Sequence, residues 1–320
     1  MKIAALMPLP PDLLRHLFAG LPAELVLPAT RDRAGLLAAV ADAEMIVGDF
    51  TGELPLDAEV VAAAGRLRFV QQPQVGTDSL DLDALTARGV VVANTGGANV
   101  RSVAEWAVGA AFALCRRTAF ADRRMREGRW LQRGIGGREL HAQRVGIVGY
   151  GAIGSTAAGL FRALGCTVSY WNRSARPDPG RLGLDELLAA SDVLVVTLPL
   201  TGETRGLLGP EKLALLPPRA LLVNVSRGGI VPDRAVLDAL RSGALAGAAL
   251  DVFETEPLPP DHPLLLEEDV LLSPHEAGVS DQAQMAIIGV VLENLASALA
   301  GRPVEHVVNG LNPIIQSETI

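Results

Sequence analysis

The stretch RVGIVGYGAIGSTAAGLFRALG (residues 144–165) decides the fold. Its first five residues form an apolar run of strand type. Gly149, Gly151 and Gly154 then follow in the spacing GxGxxG, before a helical pattern begins. In that context the glycines permit a tight turn, a close backbone approach to a pyrophosphate and close packing of helix on strand, and N–H groups at the helix start can hold the anion. The stretch predicts a dinucleotide-binding βαβ unit, and the alternative is a glycine-rich turn without a ligand.

The same alternation of short apolar runs with helical patterns extends along the whole chain, which is typical of parallel α/β sheets. The first series of predicted strands lies near residues 2–7, 25–27, 45–47, 68–70 and 90–93. The second series lies near residues 144–148, 167–171, 193–198, 220–225, 247–252 and 270–272. Six strands are the number of a complete dinucleotide-binding sheet. We therefore expect an α/β protein with two domains.

Two strong helical patterns separate these series. Residues 102–130 predict one long helix that is apolar at first and arginine-rich later, and residues 283–301 predict a helix that returns to the first domain. The predicted domains are a substrate domain of residues 1–98 and 285–320 and a dinucleotide-binding domain of residues 99–284.

Composition narrows the function classes. The chain has 320 residues, and its net charge of −8 argues against a general nucleic-acid binder. Prolines interrupt the apolar N-terminus MKIAALMPLPPDLL, which favours a first strand over a signal peptide, and no other window predicts a membrane helix. Cys115 and Cys166 lie in apolar runs and are expected to be reduced core residues, with no metal site. These features predict a cytoplasmic protein.

Three ionisable residues follow predicted strands, at the sheet edge where ligands bind in such folds. They are Arg227, Glu256 and His275. A histidine can donate a proton to a carbonyl that accepts a hydride, a carboxylate can orient and charge-stabilise the imidazole, and a guanidinium can grip a substrate carboxylate. Taken singly, each has a plain alternative as a surface arginine, a solvated glutamate or a capping histidine. The remaining histidines are assigned such structural roles: His16, His141, His262 and His306.

Several longer motifs resemble the D-isomer-specific 2-hydroxyacid dehydrogenases. They are QVGTDSLDLDAL, SVAEWAV, VGIVGYGAIG, TLPLTGETRGLL, LLVNVSRGGIVPDRAVLDAL, ALDVFETEPLPPDHPLL and LLSPHEAG, and they cover nearly the whole chain. The resemblance implies a flavodoxin-like substrate domain, a doubly wound Rossmann domain, an active site in the cleft between them and a homodimer. It implies that Arg227 binds substrate, that Glu256 supports His275 and that His275 transfers the proton.

The resemblance also implies further binding residues. Asp251 would lie by the nicotinamide carboxamide, and the backbone of Val75, Gly76 and Thr77 would hold the substrate carboxylate together with Arg227 and His275. The remaining expected cofactor contacts, besides the glycine loop and His275, are Ala152, Ile153, Leu198, Pro199, Thr204, Val225, Ser226 and Gly278.

The segment WNRSAR (171–176) bears on cofactor choice. An acidic residue that binds the ribose hydroxyls is expected about 20 residues after the glycine loop, and this chain has Asn172 there. Asn172 would not repel a 2′-phosphate, whereas Arg173 and Ser174 can bind one, and Arg176 adds positive charge. The segment predicts that the cofactor is NADP. The alternative is that the arginines form a solvated turn and the protein binds NAD more loosely.

These features together predict an NADPH-dependent 2-oxo acid reductase of glyoxylate or hydroxypyruvate reductase type that gives the D-2-hydroxy acid. The alternatives are an NAD-dependent phosphoglycerate or phosphite dehydrogenase and a non-catalytic dinucleotide-sensing corepressor. Glu256 argues against the formate dehydrogenase branch, which pairs its histidine with glutamine. The lack of a regulatory domain after residue 320 is expected to disfavour a feedback-controlled phosphoglycerate dehydrogenase.

Two further features concern the substrate pocket and its surroundings. Glu276 follows His275 at a position where an apolar residue is common in the resembled family. Phe50 and Trp130 are candidates for the walls of the substrate pocket.

Overall fold

The computed structural model describes residues 1–315, in which strands alternate with helices from end to end. The strands are β1 (Lys2–Ala5), β2 (Glu24–Val26), β3 (Met45–Val47), β4 (Phe69–Gln71), β5 (Val91–Ala93), β6 (Arg144–Val148), β7 (Thr167–Trp171), β8 (Val193–Val196), β9 (Ala220–Asn224), β10 (Leu245–Leu250) and β11 (Val270–Leu272). The helices are α1 (Pro11–Phe18), α2 (Arg33–Val40), α3 (Ala58–Ala63), α4 (Leu82–Ala87), α5 (Val100–Arg116), α6 (Thr118–Arg126), α7 (Ala152–Ala163), α8 (Leu184–Ala189), α9 (Pro210–Leu213), α10 (Asp233–Arg241) and α11 (Asp281–Leu299).

The described chain divides into two compact units, residues 1–99 with the segment from 281 onward, and residues 100–280. We call them unit 1 and unit 2. The predicted boundaries were 98/99 and 284/285. The chain returns from unit 2 to unit 1 at residue 281. The return falls there because α11 begins at Asp281, two residues before the predicted helix start at residue 283.

Unit 1 contains a five-stranded parallel sheet in the order β2, β1, β3, β4, β5, which is the flavodoxin-like order. The strands β3, β4 and the edge strand β5 are wholly buried, since helices cover both faces of a parallel sheet. Three of the covering helices begin at an aspartate whose carboxylate accepts a backbone N–H of the first turn, a favourable N-cap. These aspartates are Asp32, Asp57 and Asp81.

Unit 2 contains a six-stranded parallel sheet in the order β11, β10, β9, β8, β6, β7. The predicted number is right, but the strands differ from the usual 3-2-1-4-5-6 sheet. In the place of the usual third strand, beyond β7, there is one parallel bridge between Tyr170 and Arg181, and β11 extends the opposite edge. The segment between β7 and α8 contains prolines and glycines, which do not sustain a strand ladder.

The prediction of a single helix over 102–130 is wrong. α5 ends at Arg116 and α6 begins at Thr118, because Arg117 takes a left-handed backbone conformation with φ 52°. The Arg117 guanidinium stacks on Phe120 and pairs with Asp269, which holds it in place beside β11. The helix α6 ends at Arg126, before Trp130.

The helix α11 belongs to unit 1, where Val291, Leu295 and Ala298 are buried in the core cluster that also contains Phe69. Among the described residues it is the one helix long and apolar enough to cross a membrane by length and composition. A core helix of a soluble domain meets the same criterion.

Candidate active site

The glycine loop joins β6 to α7 in unit 2. Gly149 has a φ of 99°, which a residue with a side chain rarely adopts, and a Cβ atom at Gly154 would overlap the Gly149 carbonyl oxygen. A Cβ atom at Gly151 would meet nothing within 4 Å, so this face of the loop is open. Gly151 is the N-cap of α7 and has no side chain to accept a hydrogen bond, so the first-turn N–H groups, with those of Ala152, Ile153 and Gly154 among them, are not capped by it. The loop therefore fits a dinucleotide pyrophosphate.

The turn after β7 is tied to the glycine loop through Asn172. Its side-chain oxygen accepts the Tyr150 N–H at 3.0 Å, and its amide donates to the Ser174 carbonyl at 2.9 Å. Arg173 forms an ion pair with Glu203 at 2.5 Å, and the two side chains are 77% and 71% exposed. The Arg181 guanidinium donates to the Asn172 carbonyl at 3.2 Å. The turn predicted to select the cofactor thus lies beside the glycine loop, and its Arg173 is paired with the carboxylate of Glu203.

Sequence reasoning missed Arg181 and Glu203. Arg181 lies at the single bridge that replaces a strand, and Glu203 lies in the loop after β8, far from Arg173 in sequence. No local pattern signals either contact, since both depend on which strand ends the sheet places together.

The loops after β8 and β9 contain the other predicted cofactor contacts of this sheet edge. The Thr204 hydroxyl donates to the Pro199 carbonyl at 2.7 Å, which closes the loop that follows Leu198. The Ser226 hydroxyl donates to the Asn224 side chain at 2.6 Å, which fixes the turn from Val225 toward Arg227. Hydrogen bonds within the chain therefore order both loops.

Glu256 and His275 are in direct contact. His275 Nδ1 lies 2.7 Å from a Glu256 carboxylate oxygen, and the other oxygen accepts the Phe253 N–H at 2.9 Å. Burial alone would raise the pKa of Glu256, but the bonds from His275 and Phe253 and the charge of Arg227 outweigh it, so this pKa lies below its ordinary value. An ionised glutamate at this place orients the imidazole through Nδ1.

Asp251 organises the loop that contains His275. This buried carboxylate accepts hydrogen bonds from the Ser273 hydroxyl at 2.6 Å and from the N–H groups of Glu276 at 2.8 Å and Ala277 at 2.9 Å. The Asp251 carbonyl also accepts the N–H of His275, whose φ is 54°. Burial raises the pKa of Asp251 although these donors lower it. The loop that follows through Gly278 is thus built around one aspartate.

Arg227 lies at the end of the turn after β9. Its guanidinium donates to the Ser226 carbonyl at 2.7 Å, and its own carbonyl accepts the Asn224 side-chain amide at 3.3 Å. Its positive charge is one of the causes that lower the pKa of Glu256. Unit 2 therefore brings all three predicted catalytic residues to the carboxyl ends of β9, β10 and β11.

The predicted substrate loop Val75–Gly76–Thr77 lies in unit 1, after β4. Val75 is 39% exposed, and its carbonyl accepts the Asn94 side-chain amide at 2.8 Å. Asn94 follows β5 and was not singled out from sequence; its signal is a polar residue at a strand end next to the loop.

The remaining candidates are simpler. Phe50 in unit 1 is 41% exposed and Trp130 in unit 2 is 74% exposed. Cys115 and Cys166 are buried free thiols, and burial raises the pKa of each. Within residues 1–315, no group of three or more His, Cys, Asp or Glu side chains could hold a metal ion.

The comparisons with known proteins agree with this geometry. The family model for the NAD-binding domain of D-isomer-specific 2-hydroxyacid dehydrogenases matches residues 108–277, which is more than half of the chain. The chain belongs to the D-isomer-specific 2-hydroxyacid dehydrogenases. It is therefore an NAD(P)-dependent oxidoreductase enzyme, and the resemblance seen in its motifs is confirmed.

Individual relatives of this dehydrogenase carry two different names. A glyoxylate reductase of Korarchaeum cryptofilum is 39% identical over 280 residues, which cover 84% of each chain. A D-3-phosphoglycerate dehydrogenase of Archaeoglobus fulgidus is 36% identical over 79% of this chain but only 49% of its own length. The crystal structure of a protein from Thermus thermophilus matches 96% of the dehydrogenase and 100% of that chain with a TM-score of 0.88 and 33% identity.

Proposed function

We propose that this dehydrogenase reduces small 2-oxo acids of the glyoxylate and hydroxypyruvate type with NADPH and gives the D-2-hydroxy acid. The observation that carries the proposal is the 2.7 Å contact between His275 Nδ1 and Glu256, at the carboxyl-end edge of the sheet that also holds the glycine loop. The similar glyoxylate reductase, which the chain matches over most of its length, supports the choice of substrate class.

The residues have distinct roles in this proposal. Because Nδ1 of His275 faces Glu256, Nε2 carries the proton that the substrate oxygen receives, and Glu256 stabilises the charged imidazole. Arg227 grips the substrate carboxylate and polarises the adjacent carbonyl. A bound nicotinamide cofactor would supply the hydride that C2 of the substrate accepts.

The choice of NADPH rests on the turn after β7. Asn172 places an amide where an acid would repel a 2′-phosphate, and Arg173 and Ser174 offer a guanidinium and a hydroxyl. Arg173 is paired with Glu203, whose exposed ion pair is worth at most about 1 kcal/mol. A phosphate dianion on Arg173 would outweigh that pair.

The cofactor test compares kcat/KM for NADPH and NADH in wild type, Arg173→Ala and Glu203→Gln. We expect Arg173→Ala to lower the NADPH value about 10-fold, as loss of one charge-assisted contact does, with little change for NADH. Glu203→Gln should raise the NADPH value, because the phosphate no longer competes with a carboxylate. Arg234→Ala, an exposed arginine on α10, is the control. Equal use of both cofactors by wild type would refute the NADPH proposal.

The substrate test is a panel of 2-oxo acids with both cofactors: glyoxylate, hydroxypyruvate, pyruvate, phenylpyruvate and 2-ketogluconate. Turnover of 3-phosphoglycerate or phosphite with NAD instead would favour the second candidate, which the similar phosphoglycerate dehydrogenase supports. Nucleotide-dependent partner binding without any turnover would favour a corepressor.

We further propose a cytoplasmic homodimer that binds neither nucleic acid nor membrane. Large apolar side chains on and after α5 and α6 are exposed: Phe112 at 39%, Met125 at 51% and Trp130 at 74%. A second copy that covers them would remove this apolar surface from water. Sedimentation of wild type and Trp130→Ala, over a range of concentrations, tests the dimer, and cell fractionation tests the location.

A further inference from the structure

Two carboxylates of unit 2 bind each other's backbone. Glu254 accepts the Asp233 N–H at 2.8 Å through its side chain, and Asp233 accepts the Glu254 N–H at 3.2 Å through its own. Asp233 is the first residue of α10 and is buried, so its N–H has no acceptor within the helix. The arrangement has the reciprocity of a capping box, but it joins two segments that are remote in sequence. We call it the Asp233–Glu254 clamp.

Each member of the clamp is close in sequence to a predicted catalytic residue. Asp233 follows the turn that begins with Arg227, and Glu254 directly precedes the segment that contains Glu256. The two segments also touch through their backbones, since a Cβ atom at Gly228 would overlap the Phe253 carbonyl carbon and the Glu254 nitrogen. The clamp therefore fixes the loop of Arg227 against the loop of Glu256.

The clamp borders an open pocket of about 380 Å³, whose lining includes Asp233, Leu237, Glu254, Thr255, Leu258 and His262. A loop that borders such a space depends more on its hydrogen bonds than on close packing.

His262 supports the same arrangement from the cavity wall. Its Nδ1 accepts the Leu264 N–H at 3.4 Å, so the neutral ring carries its proton on Nε2, which lies 3.7 Å from the Asp233 carboxylate. The imidazole thus faces the negative charge of Asp233 with a donor.

We propose that Asp233 and Glu254 are positioning residues that set the guanidinium of Arg227 and the carboxylate of Glu256 in register for reduction of the 2-oxo acid. The kinetic test of this inference rests on the proposed function, because it measures the reduction of a 2-oxo acid. Neither residue needs to touch substrate or cofactor, because the clamp acts through the two loops.

The experiment compares Glu254→Ala, which removes the acceptor, with Glu254→Gln, which keeps an acceptor oxygen for the Asp233 N–H. We expect Glu254→Ala to lower kcat about 10-fold and to raise KM for glyoxylate, since misplacement of about 1 Å costs up to about 100-fold in rate. Glu254→Gln should recover most of the activity. The Kd of NADPH, measured by fluorescence, should stay within about 2-fold in both, because a shift that small is about 0.4 kcal/mol. Glu211→Ala, in the first turn of α9, is the matched control.

Hydrogen exchange provides a readout that does not need turnover. Loss of the clamp should speed amide exchange in residues 226–231 and 253–256 together in Glu254→Ala, while residues 152–163 of α7 keep wild-type rates. The proposal is overturned if exchange at 226–231 is unchanged in Glu254→Ala, or if Glu254→Gln and Glu254→Ala lose activity equally. A wild type that reduces no 2-oxo acid but shows the coupled exchange would refute the proposed function and retain the clamp.

Discussion

The first strand-to-helix turn of each unit has the same place in its sheet but different chemistry. β1 in unit 1 and β6 in unit 2 both lie between the second and third strands of their units, and each leads into a helix. At α1 the first turn contains Pro11, which has no N–H, and the acidic Asp12. At α7 the first turn contains no acid, and Gly151 leaves its face open. The sheet topology therefore permits an anion site in both units, and the residues at the helix start allow it only in unit 2.

The largest expected effect compares His275, after the last strand of unit 2, with His16 on α1 of unit 1. His275→Ala should lower kcat on a 2-oxo acid by about 100-fold or more, as loss of a general acid does. His16→Ala, an exposed position in unit 1, should leave kcat unchanged. Single-turnover and steady-state rates measure the difference. Near-normal turnover by His275→Ala would refute the assignment.

The second comparison sharpens the role of the glycine loop, because α7 contains a matched pair of glycines. The Cβ of Gly154→Ala would overlap the Gly149 carbonyl, so we expect a loss of about 1–3 kcal/mol in unfolding free energy and weaker NADPH binding. A Cβ at Gly159 meets nothing within 4 Å, so Gly159→Ala should stabilise the protein by up to about 1 kcal/mol. Urea unfolding and fluorescence titration test both variants. Equal effects at the two positions would contradict the packing argument.

The smallest expected effect is the pH dependence of stability from Glu256. Its pKa is lower in the folded protein, so the residue contributes stability above about pH 4.5, its ordinary pKa, and loses it as pH falls through the folded value. The difference in unfolding free energy between wild type and Glu256→Gln should therefore shrink as the pH falls below 4.5. Asp251, whose pKa is raised, acts with the opposite sign. Urea titrations from about pH 7 to about pH 3.5 measure this, and a difference that grows toward low pH would be inconsistent with the bond to His275.

Local patterns predicted most of the fold. Short apolar runs between helical patterns marked every strand, and the ends differed by a few residues because strand ends depend on neighbouring strands. The pattern over 102–130 failed because the left-handed Arg117 is held by Phe120 and Asp269, and Asp269 is distant in sequence. The strand that usually lies beyond β7 is replaced by one bridge, and the strand count could not reveal this because β11, at the opposite edge, restores the number to six.

The sequence by itself determined the α/β class and the glycine loop, and it predicted Arg227, Glu256 and His275 as catalytic residues, because side-chain periodicity and motif spacing are properties of the chain. Only the tertiary structure decided which groups meet: Glu203 with Arg173, Asp251 with the loop of His275, and Asp233 with Glu254. The physical reason is that parallel strands bring together loops that are far apart in sequence. Hydrogen bonds and ion pairs between those loops leave no local pattern to detect.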